Sequence, residues 1–252
     1  MKAPANIRIS LKPTTAQHRA PEPPRLDARL ACALDYIRGG VVADIGTDHA
    51  YIPLALLLQN RCSFAVASDI HKGPAACAAE HLQAAGIGDD RAAVLCTDGL
   101  HGVEAYHPTD IIIFGMGGEM IARILDEAPW VKDASIRLIL QPMSRQSDLR
   151  DYLGQHGFCI RDEAIAMVDR PYQIICAEYD GTCRAFSPLA LLMGEHNLAR
   201  RDATVLETAR RQLAIFTAAR DGKLRGVNPD TSAEDAMIAA LTDYLNGGTS
   251  SI

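Results

Sequence analysis

The sequence predicts an α/β fold in which a mostly parallel sheet is covered by helices on both faces and is followed by a small helical domain. Between residues 41 and 140, short apolar runs typical of buried strands alternate with segments whose apolar residues recur at helical spacing. After Gly181 only the helical spacing continues. The change of pattern predicts two folded units, at 25–183 and 184–252.

The N-terminal segment differs from both units. Residues 1–24 are polar and contain five prolines, so we expect a flexible extension here. The first helical spacing covers residues 26–38 and ends at Gly39-Gly40.

Five strands and four further helices follow in alternation. We predict strands at 41–45, 64–67, 92–96, 111–114 and 136–140, and helices at 51–60, 73–85, 118–127 and 145–156. Two β-rich runs, 158–168 and 172–179, are separated only by a short turn and predict a hairpin. Beyond them, residues 187–219 predict one long helix or two in line, and 230–245 a second helix, which together would form a helical hairpin.

Composition limits the class of protein. A hydrophobic fraction of 48% can fill a core, no stretch is apolar enough to span a bilayer, and no secretory signal begins the chain, so we expect a cytoplasmic protein. The seven cysteines form no CxxC pair, and their number is odd. We therefore expect neither a disulfide framework nor a metal site.

Charge is distributed unevenly along an acidic chain. The net charge is −6, yet residues 1–31 carry six basic against two acidic side chains, and residues 184–225 carry eight against four. Such regions can bind phosphates, although solvated helix faces would give the same pattern.

The loop after the first predicted strand contains the first candidate site. Ligands bind to α/β sheets at the carboxyl ends of strands, where Asp44 and Gly46 lie, and glycine permits close approach of the backbone. The loop lacks the GxGxxG pattern, and Asp48 would repel a pyrophosphate. NAD is therefore disfavoured, whereas the cationic S-adenosylmethionine (SAM) suits a site rich in carboxylates. A structural turn capped by Asp48 is the alternative.

The next three strands end in similar residues. Asp69 follows the second strand, where a carboxylate can accept hydrogen bonds from a ribose, and Asp98-Gly99 follows the third. Gly115-Met116-Gly117-Gly118 follows the fourth and leaves backbone exposed. Helix capping and tight turns would also explain these residues. All four strand ends would nevertheless meet at one edge of the sheet.

Several short motifs of the sequence together resemble those of the bacterial tRNA (adenine(22)-N1)-methyltransferase family, TrmK. They are RLDARL at 25–30, DIGTDHAYIP at 44–53, KGP at 72–74, DGL at 98–100, GMGG at 115–118 and LILQP at 138–142. The resemblance implies a class I SAM-dependent methyltransferase fold, Rossmann-like, with a seven-stranded sheet and a C-terminal coiled-coil-like helical hairpin. It implies SAM as cofactor and tRNA as substrate, methylated at N1 of adenine 22. Met143 departs from the family, which often has Asn there.

By this resemblance we assign candidate roles. Cofactor-binding candidates are Asp44, Gly46, Asp48, Asp69, Ile70, Asp98, Gly99, Gly115, Met116 and Gly117. Candidates for holding the target base are Asp48, His49, Tyr51 and Met116, and candidates for binding RNA are Arg29, Arg200, Arg201, Arg210 and Arg211. We expect a monomer.

Other functions stay open at this point. A class I methyltransferase acting on a protein or small molecule is one, although such an enzyme has no evident use for a basic helical surface. A dehydrogenase is disfavoured by Asp48, and a non-catalytic RNA-binding protein is disfavoured by the intact acidic residues at the strand ends.

Overall fold

The computed structural model of the chain describes residues 6–12, 22–227 and 229–248. The strands are β1 (Ile7–Ile9), β2 (Val41–Ile45), β3 (Phe64–Asp69), β4 (Ala92–Cys96), β5 (Asp110–Gly117), β6 (Arg137–Ser144), β7 (Phe158–Met167) and β8 (Pro171–Tyr179). The helices are α1 (Ala28–Tyr36), α2 (Tyr51–Leu58), α3 (Lys72–Ala84), α4 (Gly118–Asp126), α5 (Gln146–Gln155), α6 (Pro188–Met193), α7 (Glu195–Arg200), α8 (Ala203–Lys223) and α9 (Ser232–Leu245). The α/β class and the order of elements from β2 to β8 confirm the prediction.

The strands form one mixed sheet in the order β1-β4-β3-β2-β5-β6-β8-β7. Strands β2 to β6 are parallel to one another, whereas β8 pairs antiparallel with β6, and β7 pairs antiparallel with β8. The predicted hairpin therefore forms one edge of the sheet, next to the parallel strands, as in the class I methyltransferase layout.

Strand β1 is an eighth strand that the sequence analysis missed. It pairs antiparallel with β4, where Ile7 lies opposite Cys96, and Leu11 beyond it is buried. Asp89 accepts hydrogen bonds from the Ser10 hydroxyl (2.9 Å) and the Leu11 backbone (3.1 Å). The prediction of a flexible extension is thus wrong for this part, because three residues are too few for a visible pattern. Residues 1–5 and 13–21 lie outside the described residues.

Both faces of the sheet are buried. One core cluster packs α1, α2 and α3 against residues such as Val42 and Ile112, and a second packs α4 and α5 against their neighbours Ala43 and Ile111. Because successive side chains of a strand point to opposite faces, a sheet covered on both sides needs continuous apolar strands. This explains why the strands appear in the sequence as short unbroken apolar runs.

The C-terminal helices pack on a third core cluster that contains Leu189, Met193, Val205, Leu241 and Tyr244. Helices α8 and α9 are antiparallel, since Lys223 at the end of α8 pairs with Glu234 near the start of α9 (2.8 Å), and Arg201 just before α8 donates to the Tyr244 carbonyl near the end of α9 (2.6 Å). The helical hairpin is therefore present.

The prediction of one long helix or two in line for 187–219 is wrong. Three helices, α6 to α8, occupy this region, and the breaks fall at Gly194 (φ +86°) and Arg201 (φ +53°). A Cβ at Gly194 would overlap the buried Glu163 carboxylate, so the residue at this break must be glycine. Asp202 then begins α8 by accepting a hydrogen bond from the Val205 backbone (2.9 Å).

A buried ion pair joins the sheet to these helices. Arg150 of α5 and Glu163 of β7 are fully buried and 2.7 Å apart, and Arg150 also donates to Gln173 Oε1 (2.5 Å) and to the Leu191 carbonyl of α6 (2.9 Å). These hydrogen bonds satisfy both charges in a place that water does not reach.

Across the described ranges, no helix is long and apolar enough to cross a membrane.

Candidate functional site

Two cavities open side by side at the carboxyl edge of the parallel strands. The first, which we call the Asp98 cavity, measures about 350 Å³ and is lined by residues that include Asp69, Asp98 and Met116. The second, the Asp48 cavity, measures about 380 Å³ and is lined by residues that include Asp44, Asp48 and Tyr51. Gly46, Phe114 and Gly115 line both, so the two cavities meet between the ends of β2 and β5.

Gly46 lies where the cavities meet, and Asp44, two residues earlier, lines the Asp48 cavity. Burial of Asp44 at the end of β2 raises the pKa of its carboxyl group to about 6; the nearby charge of Asp69 adds to this, and a hydrogen bond from Thr47 opposes it. Gly46 has φ +77°, and a Cβ there would overlap the Met116 side chain. The positive φ favours glycine at this turn, and the end of the flexible Met116 side chain packs directly over it.

Asp69 lies at the end of β3 with the loop that begins α3. Its Oδ1 accepts a hydrogen bond from the His71 backbone (2.7 Å), and its side chain is mostly buried. Asp69, Ile70 and His71 all line the Asp98 cavity. The loop thus holds the carboxylate in place at the cavity wall.

Asp98 and Gly99 line the same cavity from the end of β4. Arg123 of α4, which the sequence analysis did not single out, lies 3.7 Å from the Asp98 carboxylate and is half exposed. Gly99 has φ +54° and packs under Ile124. The pairing across β4 and α4 arises from the fold and has no sequence signal.

The glycine loop after Phe114 forms the wall between the cavities. The register with β6 shifts between Phe114 and Gly117, as in a β-bulge. Gly115 and Met116 line the Asp98 cavity, whereas Gly117 lines neither cavity and serves as the N-cap residue of α4. A Cβ at Gly118 would overlap the Arg145 backbone, so this glycine is needed for packing.

Asp48, His49 and Tyr51 lie together on one side of the Asp48 cavity. Nε2 of His49 is 3.1 Å from Oδ2 of Asp48, and the His49 ring stacks on Tyr51 with centroids 5.1 Å apart. The structure thus brings together three of the four residues predicted to hold the base. Met116, the fourth, lies in the wall nearby.

Arg29, predicted to bind RNA, lines the Asp48 cavity. Its Nη1 donates to Oε1 of the buried Gln141 (3.0 Å), its Nη2 lies 3.6 Å from Asp27, and its guanidinium faces the Tyr172 ring at 5.6 Å. Asp27, Gln141 and Tyr172 were not among the predicted site residues. Gln141 lies in the LILQP motif, and this motif is the sequence feature from which it could have been predicted.

The four arginines predicted on the helices divide into two pairs. Arg200 donates to Asp162 (3.1 Å) and to the Glu163 carbonyl, and Arg201 donates to the Tyr244 carbonyl (2.6 Å) and covers its ring. These contacts give Arg200 and Arg201 a structural role. Arg210 and Arg211 are exposed on α8 and pair only with Glu207 among the described residues. RNA binding stays a prediction for all four.

Comparison with known proteins identifies the class and then the family. Residues 26–175 match the family model of a methyltransferase domain. The chain therefore belongs to the methyltransferase-domain proteins, in agreement with its sheet order and the site at its carboxyl edge. It is 33% identical over 172 residues to the tRNA (adenine(22)-N(1))-methyltransferase of Bacillus subtilis strain 168. The matched region covers 68% of this chain and 72% of that relative. The chain belongs to the tRNA (adenine(22)-N1)-methyltransferase family.

Solved structures agree with this assignment. The crystal structure of Bacillus subtilis TrmK, a tRNA methyltransferase, matches with a TM-score of 0.73 and 28% identity, and the match covers 88% of this chain and 96% of that one. A Streptococcus pneumoniae protein in complex with S-adenosyl-L-methionine matches with a TM-score of 0.76 and 27% identity, over 88% of this chain and 100% of the other.

Proposed function

We propose that this protein transfers a methyl group from SAM to N1 of adenine 22 in tRNA. The observation that carries the proposal is the meeting of the two cavities at Gly46 and Gly115, in a chain of this family. One cavity has the carboxylates that suit the cofactor, and the other has the aromatic and polar side chains that suit a base. The reaction takes place in the cytoplasm, and the acting unit is a monomer.

The carboxylates at the strand ends suit SAM. Asp69 and Asp98 in the Asp98 cavity can accept hydrogen bonds from the ribose hydroxyls and the adenine amino group of the cofactor. Asp44, which lines the Asp48 cavity two residues before the shared Gly46, supplies negative charge for the sulfonium and ammonium groups of SAM. When bound, SAM supplies an electrophilic methyl group on a sulfonium centre. Gly46 and Gly115 let the backbone approach the ligand there.

The Asp48 cavity suits the acceptor base. N1 of adenine lies on its Watson–Crick edge, so the base must be unpaired or turned out of its stack. His49 and Tyr51 offer stacked rings for it, and Asp48 can accept from its amino group and stabilise the positive charge that develops on methylation. N1 already has a lone pair, so alignment is the main task of the site.

Arg29 takes part in this alignment as a positioning residue. Gln141, Asp27 and the Tyr172 ring hold its guanidinium beside Gly115, where an added Cβ would lie 3.9 Å from Nη1. A cation at this point can bind a phosphate or sugar next to the target nucleotide. The exposed Arg210 and Arg211 provide phosphate contacts farther from the reacting base.

Methyl transfer to defined transcripts tests the proposal. Tritiated SAM is incubated with the full chain and with either an unmodified tRNA transcript or the same transcript carrying guanosine at position 22. We expect label in the first transcript only. Label in neither, with SAM binding intact by calorimetry, would move the assignment to a protein or small-molecule acceptor.

A further inference from the structure

A cluster of metal-ligand side chains lies beside the Asp48 cavity and outside the groups used above for cofactor binding. His49 follows β2, whereas Cys77 and His81 are one turn apart on α3. Nδ1 of His49 is 3.1 Å from Sγ of Cys77, and Sγ is 3.9 Å from Nε2 of His81. One ring nitrogen of each histidine and the Cys77 sulfur all lie within 4.8 Å of one another. They are spaced as ligands around one small cation would be.

The other nitrogen of each ring already has an acceptor. Nδ1 of His81 is 3.0 Å from the His49 carbonyl, and Nε2 of His49 is 3.1 Å from the Asp48 carboxylate. A carbonyl and a carboxylate only accept, so these two nitrogens carry the ring protons. The lone pairs of the neutral rings are then on Nδ1 of His49 and Nε2 of His81, the two atoms that face Cys77. Histidines that bind metals are oriented in this way by a carbonyl or carboxylate on the far nitrogen.

The thiol by itself leaves this arrangement incomplete. Cys77 has a single S–H, which can be donated to only one of the two lone pairs. A cation would satisfy both nitrogens and the sulfur together. Two imidazoles and one thiolate are the ligand types of Zn²⁺, whose three-ligand sites keep a fourth position for water or another ligand.

We propose that His49, Cys77 and His81 form a Zn²⁺ site. The ion displaces the Cys77 thiol proton to solvent and binds the thiolate and the two neutral imidazoles. It links the loop at the Asp48 cavity to α3 and fixes the His49 ring. The three protein ligands leave a fourth position for water, and water can reach the site because His49 is 38% exposed. The site shows no CxxC pair because Cys77 is its one cysteine, and His49 is 28 residues away from it in the sequence.

Cobalt spectroscopy on the full chain tests the site. After treatment with a chelator, one equivalent of Co²⁺ should give a thiolate charge-transfer band and tetrahedral d–d bands, and Zn²⁺ should remove both by displacement. The Cys77→Ser variant should lose the charge-transfer band, and Asp48→Asn should weaken Zn²⁺ binding about 10- to 100-fold, as outer-shell changes do. Cys183→Ser, at an exposed cysteine on another part of the chain, is the matched control and should behave like the wild type.

Alkylation of the wild-type chain gives a second measurement that needs no variant to fold. Peptide mapping after iodoacetamide treatment should show Cys77 protected by one equivalent of Zn²⁺ and Cys183 labelled with or without it. Stoichiometric binding with Cys77 protected supports the site. No binding at one equivalent, a band that persists in Cys77→Ser, or unchanged labelling of Cys77 would overturn it. None of these results depends on methyl transfer, so the proposed function is tested separately.

Discussion

At the scale of single residues, the position of a carboxylate at a strand end decides its chemistry. Asp44 is buried and its pKa is raised to about 6. Asp48, four residues later, is exposed and accepts a hydrogen bond from the His49 ring. The sequence identified both as site residues. It could not distinguish them, because burial depends on the strands and helices that pack around each one.

The raised pKa of Asp44 predicts that SAM binding depends on pH. A cationic ligand favours the ionised carboxylate, so binding should strengthen as pH rises through about 6. Between pH 5 and pH 7 the dissociation constant should fall about tenfold. Calorimetric titrations across this range measure it, and Asp44→Asn should bind more weakly with a flat profile. A wild-type profile that is also flat would contradict the assigned role of Asp44.

Arg29 provides the second prediction at this scale. The Arg29→Met variant should lower kcat for tRNA about 10- to 100-fold through misalignment of the acceptor, while the dissociation constant of SAM changes little. Arg29→Lys should retain only part of the wild-type kcat, because lysine lacks the planar guanidinium that Gln141 and Tyr172 hold. Arg25→Ala, at an exposed neighbour, is the control. If Arg29→Met kept the wild-type kcat, this residue would have no positioning role.

At the scale of elements, the sequence predicted the strands and helices whose apolar patterns lie within one short stretch of the chain. Strands β2 to β6 and their helices appear in the sequence because buried apolar runs and helical spacing are local signals. Strand β1 and the break between α6 and α7 do not, since one depends on pairing with β4 and the other on the Glu163 carboxylate beside Gly194. The pairs Asp98–Arg123 and His49–Cys77 escaped prediction for the same reason: their partners come from different elements.

The break at Gly194 predicts a large loss of stability on substitution. Gly194→Ala combines a positive φ with overlap on a fully buried carboxylate that Arg150 holds, and it should lower the free energy of unfolding by about 2 to 4 kcal/mol. Gly222→Ala is the matched control. It lies in α8 with open space around it, and alanine there should be neutral or stabilise by up to about 1 kcal/mol. Urea denaturation measures both, and equal effects would contradict the packing argument.

At the scale of the whole molecule, the chain combines an acidic sheet edge with exposed arginines on α8. The net charge of −6 hides this arrangement, in which Arg210 and Arg211 are exposed on α8. An acidic protein can still bind RNA when its cations are concentrated in one region.

Removing the α8 cations should weaken tRNA binding without affecting SAM. We expect the double variant Arg210→Ala, Arg211→Ala to raise KM for tRNA and to reduce the slope of log affinity against log salt concentration by about 1 to 2. Lys132→Ala is the control, because this exposed lysine precedes β6 and so lies at the amino edge of the sheet, away from the cavities. An unchanged KM and salt slope in the double variant would show that tRNA does not contact this surface.

Identification of the product shows whether the two joined cavities align SAM with N1 of adenine 22. Unmodified tRNA is methylated by the full chain, digested to nucleosides and to sequence-specific fragments, and analysed by chromatography and mass spectrometry beside standards. We expect one methyl group per tRNA, found as 1-methyladenosine in the fragment that contains position 22. N6-methyladenosine, or 1-methyladenosine at any other position, would contradict it.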